Sequence, residues 1–214
     1  MVKRKREHFA ELMTFDNVLK NPPDIKGKWR DTIFKNDVPI MLELGCGRAD
    51  LTLDMAIRYP ENNYIGIDKK GARVWAGAKK ALEEALSNVF FLLILIDEIT
   101  DYFEDNEVDG IWITFPDPYP KVRHAKHRLT SVKFLEAYRK ILKKDAHIHL
   151  KTDDDDLFDY SVAQITEFGG IIHQSIDDIY AQAQIDEIIT LKTTYEKKHL
   201  AIGRKIKYLR FSLG

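Results

Sequence analysis

Three groups of residues in this chain have types and spacings suited to chemistry. The first is Phe115-Pro116-Asp117-Pro118-Tyr119-Pro120-Lys121, continued by Val122-Arg123-His124-Ala125-Lys126-His127-Arg128-Leu129-Thr130. Its prolines fix φ and remove backbone donors, so neither a helix nor a strand ladder continues through it. Such a segment holds its side chains still, with one carboxylate, Asp117, at its centre and a dense cationic run behind it. On composition alone a proline-stiffened loop with a solvated charged tail fits equally well. The second group is Glu43-Leu44-Gly45-Cys46-Gly47, where a short apolar strand runs into a glycine turn before a helix. That arrangement lets a ligand approach the backbone and meet a helix N-terminus. The pattern is G-x-G-x-x-D, so the dinucleotide fingerprint fails for want of its third glycine. Glu43, a carboxylate at a strand end, suits a cationic ligand better than a pyrophosphate. Asp68 closes the next strand 21 residues after Gly47, about the spacing at which an acid on the second strand reaches a ribose diol. Its competing role is to cap the helix that starts near Lys70.

The third group comprises the acids that end later strands: Asp97 and Glu98, then Asp153-Asp154-Asp155-Asp156. Four acids in a row usually mark a solvated loop and a helix N-terminus, but the C-terminal ends of parallel strands also form ligand crevices. His147 and His149 fall on one side of the fifth strand. No thiol or convergent carboxylate joins them at ligand spacing, so satisfied strand histidines are the better reading and no metal is implied.

The elements that must position these groups alternate. Strands are expected at 40–44, 64–68, 89–96, 110–114, 147–152, 171–175 and near 207–213. Helices are expected at about 50–59, 73–86, 131–142 and 157–168, with a short one at 100–103. This predicts an α/β, Rossmann-like domain over 1–214: a mostly parallel, seven-stranded sheet with helices on both faces. Residues 1–37 are polar and interrupted by Asn21-Pro22-Pro23-Asp24, and read as a basic, partly mobile N-terminal arm.

The 214 residues suffice for one sizeable core, and net charge is −1. Distribution is more telling than sum: basic runs cover Lys3-Arg4-Lys5-Arg6, Tyr119 to Lys151 and Lys192 to Arg210, and such local fields attract polyanions. The helical lysines between 133 and 144 read as ordinary surface. A single cysteine, Cys46, excludes an internal disulfide framework and fits a reduced compartment. No secretory leader is legible, and the longest apolar run, Val89 to Ile96, reads as a buried strand, so a cytoplasmic protein is expected.

Taken together, these residues resemble the bacterial-type tRNA (guanine-N7-)-methyltransferases, over roughly residues 38–211. Glu43-Leu44-Gly45-Cys46-Gly47 is similar to the family's cofactor loop. The proline loop with Arg123-His124, Lys126 and Arg128-Leu129-Thr130 is similar to its most specific signature. Lys151-Thr152-Asp153 with Leu157-Phe158, and Thr193-Thr194-Tyr195-Glu196, match two further blocks. The resemblance implies a class I methyltransferase fold, S-adenosyl-L-methionine as cofactor, and tRNA as partner, with the guanine at position 46 of the variable loop as target. It implies cofactor contacts from Glu43, Gly45, Gly47, Asp68, Asp97 and Asp117, with Asp117 the catalytic carboxylate between cofactor and guanine. It implies substrate contacts from Lys121, Asp153, Thr193, Tyr195 and Glu196. The family includes monomers and homodimers, and no membrane partner is expected. This chain departs from the family at four positions. Ala49 stands where a third loop glycine is common, and Tyr119 replaces tryptophan. Asp68 replaces glutamate. Leu95 falls where many members carry the Asp or Asn that reads the adenine, leaving Asp97 or the local backbone to do so. Two other readings fit the same motifs: a methyltransferase acting on another RNA or a small molecule, and a non-catalytic RNA-binding protein of the same fold.

Overall fold

The computed structural model describes residues 2–214, with side chains from Arg6 onward. Lys3, Arg4 and Lys5 of the first basic run therefore lie outside the described side chains. The chain divides into two compact units, residues 1–104 and 105–214.

In the first unit, strands β1 (Val18–Lys20), β2 (Ile40–Leu44), β3 (Asn63–Ile67) and β4 (Val89–Leu93) lie in the order β1-β4-β3-β2, every pair parallel. Helices α1 (Val2–Leu12), α2 (Asp50–Arg58) and α3 (Gly71–Glu83) alternate with them. The strands are near-continuous apolar runs because both faces of a parallel sheet are covered; Ile40, Leu42, Ile65, Ile67 and Phe91 are fully buried. The third expected strand is shorter than 89–96. It stops at Leu93, and Ile96–Asp101 forms a 3-10 turn.

Residues of the expected N-terminal arm pack within this unit. Leu12 and Trp29 are fully buried. His8 stacks on Trp75 of α3 with ring centroids 3.8 Å apart, and Trp75 Nε1 donates to Glu11 at 2.9 Å. Trp29 stacks on Phe103 and donates from Nε1 to the Tyr102 carbonyl at 2.9 Å. An eighth strand, β1, thus extends the seven read from sequence. Its three residues were too few to give an alternation signal, and neighbouring β4 supplies its ladder.

The second unit holds β5 (Val108–Thr114), α4 (Val132–Ile141), β6 (Leu142–Thr152), α5 (Asp155–Glu167), β7 (Ile171–Ile176), α6 (Thr194–Ala201) and β8 (Lys207–Ser212). Strand order is β5-β6-β8-β7. β5 and β6 are parallel, and β8 runs antiparallel to both its neighbours. β6 begins directly where α4 ends, five residues before the expected start. Of the histidine pair on β6, His149 is held internally: its Nδ1 lies 2.7 Å from the Tyr208 hydroxyl, and its ring stacks on Trp112 at 4.1 Å. Burial pulls the His149 imidazole down to a pKa of about 3, so it is held neutral. No helix among the described residues is long and apolar enough to cross a membrane.

Candidate active site

The glycine turn follows β2. Gly45 and Gly47 take φ of 72° and 57°, the left-handed region that costs a side-chain-bearing residue roughly 1–2 kcal/mol. Ala49, with φ of 61°, occupies the same region without being glycine, which gives the physical reason why a third glycine is favoured there. A Cβ placed on Gly45 would meet nothing within 4 Å, and one on Gly47 only the Gly45 carbonyl at 3.9 Å. The turn is therefore a backbone cradle facing open space, as a bound cofactor requires. Gly77 of α3 was not singled out by sequence reasoning. A Cβ there would lie 2.6 Å from both the Arg48 carbonyl oxygen and the Ala49 Cβ, so its absence lets α3 support the turn from behind.

Two predicted cofactor carboxylates brace this turn. Glu43, buried, accepts from the Thr52 backbone N–H at 2.9 Å and from the Thr52 hydroxyl in a short hydrogen bond. Asp68 accepts from the Gly47 N–H at 3.1 Å and from the Lys70 N–H at 2.8 Å. The capping role weighed for Asp68 is thus present. Each carboxylate oxygen has more than one acceptor site, so Asp68 retains capacity for a diol. Asp97 and Leu95 are both exposed just beyond β4, Leu95 at 44%. Burial pushes the Cys46 thiol well above its ordinary value, the Glu43 and Asp68 charges adding to this, so Cys46 is an inert core residue. An open glycine cradle, an Asp68 pinned beside it and exposed groups beyond β4 fit a nucleoside cofactor.

In the second unit the proline loop leaves β5 with its shape fixed at both ends. Phe115 and Tyr119 have φ of 49° and 45°, strain that persists only where surroundings over-determine it. The Phe115 N–H donates to the Lys151 carbonyl at 2.8 Å. Arg128 is buried, donating from Nε to the Pro118 carbonyl at 2.9 Å and from Nη2 to the Tyr119 carbonyl at 3.1 Å. Asp117 is left exposed, as are Lys121, Arg123 and Lys126.

The T-x-Y-E block starts α6. Thr193 is its N-cap, accepting from the Glu196 N–H at 3.1 Å. Glu196 is 0% exposed and Lys151 is 1% exposed. Their side chains meet at 2.7 Å, the other Glu196 oxygen accepts from the Tyr180 hydroxyl at 2.7 Å, and Lys151 also donates to the Leu191 carbonyl at 3.0 Å. Burial, with the Glu196 carboxylate beside it, holds the Tyr180 phenol well above its ordinary value. Tyr195 points the other way, 45% exposed, stacked on His199 at 3.9 Å and beside Phe115 at 5.0 Å. Asp153 is largely covered: His199 Nδ1 lies 2.9 Å from it and Arg204 3.3 Å. Asp154 caps α5, accepting from the Leu157 N–H at 2.7 Å, with Asp155 and Asp156 exposed in the first turn.

The predicted substrate residues therefore separate. Asp153, Thr193, Tyr195 and Glu196 are brought together, with Phe115 joining them. Only Tyr195 and Lys121 of the five present exposed side chains. Glu196 and Thr193 are committed inside the fold. Sequence reasoning missed Arg128 as a brace, Lys151 and Tyr180 as partners of Glu196, and Thr52 as partner of Glu43. A usable signal existed for Thr193 and Glu196: T-x-x-E is the spacing of a helix N-terminus.

A family model described as "putative methyltransferase" matches residues 37–209. A tRNA (guanine-N(7)-)-methyltransferase of Christiangramia forsetii is 43% identical, over 99% of this chain and 98% of that protein. One of Bacteroides fragilis is 41% identical over 100% and 87%, and one of Streptococcus pyogenes serotype M6 is 39% identical over 95% of each. Among solved structures, an antibiotic-related methyltransferase superposes with a TM-score of 0.66 at 22% identity, covering 89% of this chain and 95% of that one. The 16S rRNA methyltransferase KamB gives 0.68 at 12% identity, covering 92% and 99%. These two likenesses speak for the fold alone, the mostly parallel α/β fold of class I methyltransferases. The family model over residues 37–209 and 39–43% identity to named enzymes over 95–100% of the chain lead to one conclusion: this chain is an enzyme and belongs to the family of tRNA (guanine-N7-)-methyltransferases.

Proposed function

We propose that this enzyme transfers a methyl group from S-adenosyl-L-methionine to N7 of guanine 46 in the variable loop of tRNA, in the cytoplasm. The observation that carries the reading is an exposed carboxylate, Asp117, on a braced loop that continues into exposed Lys121, Arg123 and Lys126. S-adenosyl-L-methionine supplies, when bound, a methyl group on a positively charged sulfur. The Gly45–Gly47 backbone cradles it, Asp68 holds its ribose, and Asp97 or the backbone beyond β4 meets the adenine. Guanine N7 has a free lone pair and no proton, so the reaction needs alignment rather than a strong base. Transfer leaves a positive charge on the purine. Asp117 stabilises that charge and accepts hydrogen bonds from the base. N7 takes part in tertiary contacts in many tRNAs, so the base is drawn out of its stack, and the exposed ring of Tyr195 receives it. Lys121, Arg123 and Lys126 hold phosphates. The buried Glu43 and Glu196 serve as braces, each within its own unit, for groups that touch ligand.

The test is methyl transfer from labelled S-adenosyl-L-methionine to unmodified tRNA and to a tRNA with guanine 46 changed to adenine. Label in the first alone is expected. Label in both moves the target base; label in neither, with cofactor bound, removes tRNA as substrate.

A further inference from the structure

We propose that Arg128 is a positioning residue that sets the shape of the Phe115–Tyr119 turn and so presents Asp117; this rests on the reading of Asp117 given above. By sequence Arg128 is one more cation in a run suited to phosphate. Its surroundings differ from those of its neighbours. Lys121, Arg123, Lys126 and His127 are exposed, while Arg128 is 8% exposed. Its fork is occupied by the chain itself, Nε on the Pro118 carbonyl and Nη2 on the Tyr119 carbonyl.

The loop needs such a donor. Pro116, Pro118 and Pro120 contribute carbonyls but no N–H, so the turn has few donors of its own. Its two left-handed residues, Phe115 and Tyr119, lie on either side of Asp117. Without an external hold, each relaxes toward an extended backbone and Asp117 moves with them. Arg128 is itself fixed. Its guanidinium lies 4.3 Å over the Tyr160 ring of α5, and two residues on the Thr130 hydroxyl meets Ser161 of α5 at 2.7 Å. The brace thus ties the loop to a helix that follows β6. A planar fork stacked on an aromatic ring and bonded to two successive carbonyls is a geometry that lysine does not reproduce.

The experiment compares wild type, Arg128→Lys, Arg128→Met and, as a phosphate-type control, Lys121→Ala. Kinetics with tRNA at several salt concentrations are run beside limited trypsin digestion after Lys121 and Arg123. For Arg128→Met we expect kcat to fall on the order of 100-fold, the loss that about 1 Å of misplacement causes. KM for tRNA and the slope of log binding against log salt stay unchanged, cleavage after Lys121 and Arg123 accelerates, and Arg128→Lys lies between. Lys121→Ala, at a phosphate contact, weakens tRNA binding and lowers the slope by about 1. A raised KM with a shallower salt slope in Arg128→Met would make Arg128 a phosphate contact and overturn the proposal, as would unchanged kcat with unchanged cleavage. If wild type fails to methylate tRNA, the substrate reading falls. The digestion arm then decides the brace alone, with faster cleavage upholding it and unchanged cleavage overturning it.

Discussion

Replacing Glu196 separates a ligand contact from an internal brace. The carboxylate is fully buried, receives the Lys151 ammonium at 2.7 Å on one oxygen and the Tyr180 hydroxyl at 2.7 Å on the other. Glu196→Ala takes the carboxylate away from the ammonium, itself 1% exposed, which still donates to the Leu191 carbonyl at 3.0 Å. Removing one partner of a buried pair costs about 3–5 kcal/mol. For a chain of this size that is a fall in Tm of roughly 6–20 °C, at about 2–4 °C per kcal/mol. Glu196→Gln keeps one acceptor and is expected to fall less. Lys151→Met with Glu196→Leu removes both charges and fills the space, and recovers the part of the loss that comes from the unpaired charge, because apolar replacement of a buried pair is close to neutral, while the Tyr180 hydroxyl still lacks its acceptor. Thermal melts followed by circular dichroism, with tRNA affinity measured well below each Tm, make the comparison. The brace predicts that stability falls in step with the charge left unpaired, and that the double variant binds tRNA better than Glu196→Ala. If Glu196→Gln melts within about 1 °C of wild type yet loses tRNA affinity tenfold or more, the carboxylate touches substrate and the reasoning is refuted.

Asp117→Ala, at an exposed position, is expected to keep the wild-type Tm and lose about 100-fold or more in methyl transfer; unchanged single-turnover rates would remove Asp117 from the reaction. Gly77→Ala forces a methyl to within 2.6 Å of the Arg48 carbonyl, so it should cost about 1–3 kcal/mol and weaken cofactor binding in calorimetry, whereas a variant with wild-type Tm and affinity would show that α3 does not support the turn. His149 has a folded pKa of about 3, below its unfolded value. Only the unfolded chain takes up this proton as pH falls below about 6.5, so stability declines by about 1.4 kcal/mol per unit until the folded pKa is reached. His149→Gln should flatten that acid limb in denaturant titrations at pH 5 and pH 7, and an equally steep limb would locate the effect elsewhere.

How much of this was legible in the sequence depended on how local the cause was. The alternation of apolar strands and amphipathic helices, the glycine turn and the proline loop were readable, since each arises from steric limits acting within a few residues. The break at Asn21-Pro22-Pro23-Asp24 excludes a helix there, but it does not show that Leu12, Trp29 and β1 find partners in α3, Phe103 and β4, and no local rule names them. β1, at three residues, is shorter than any alternation signal.

The site residues divide in the same way. The rigid setting of Asp117 was legible because prolines on either side of it stiffen the loop. Glu43 was read as facing the ligand from its place at a strand end; that it accepts from Thr52 across the turn was not legible there. Arg128 carries the same charge as Lys121, and the carbonyls and the Tyr160 ring around it decide that it braces while Lys121 is exposed. Glu196 meets Lys151 across 45 residues of chain. The sequence by itself determined which segments are rigid, which are strands and helices, and where the carboxylates and cations stand along the chain. Tertiary structure alone decided which of those charges are spent inside the fold and which are left for a ligand, because burial and pairing depend on residues far apart in sequence that only the packed strands bring within hydrogen-bonding distance.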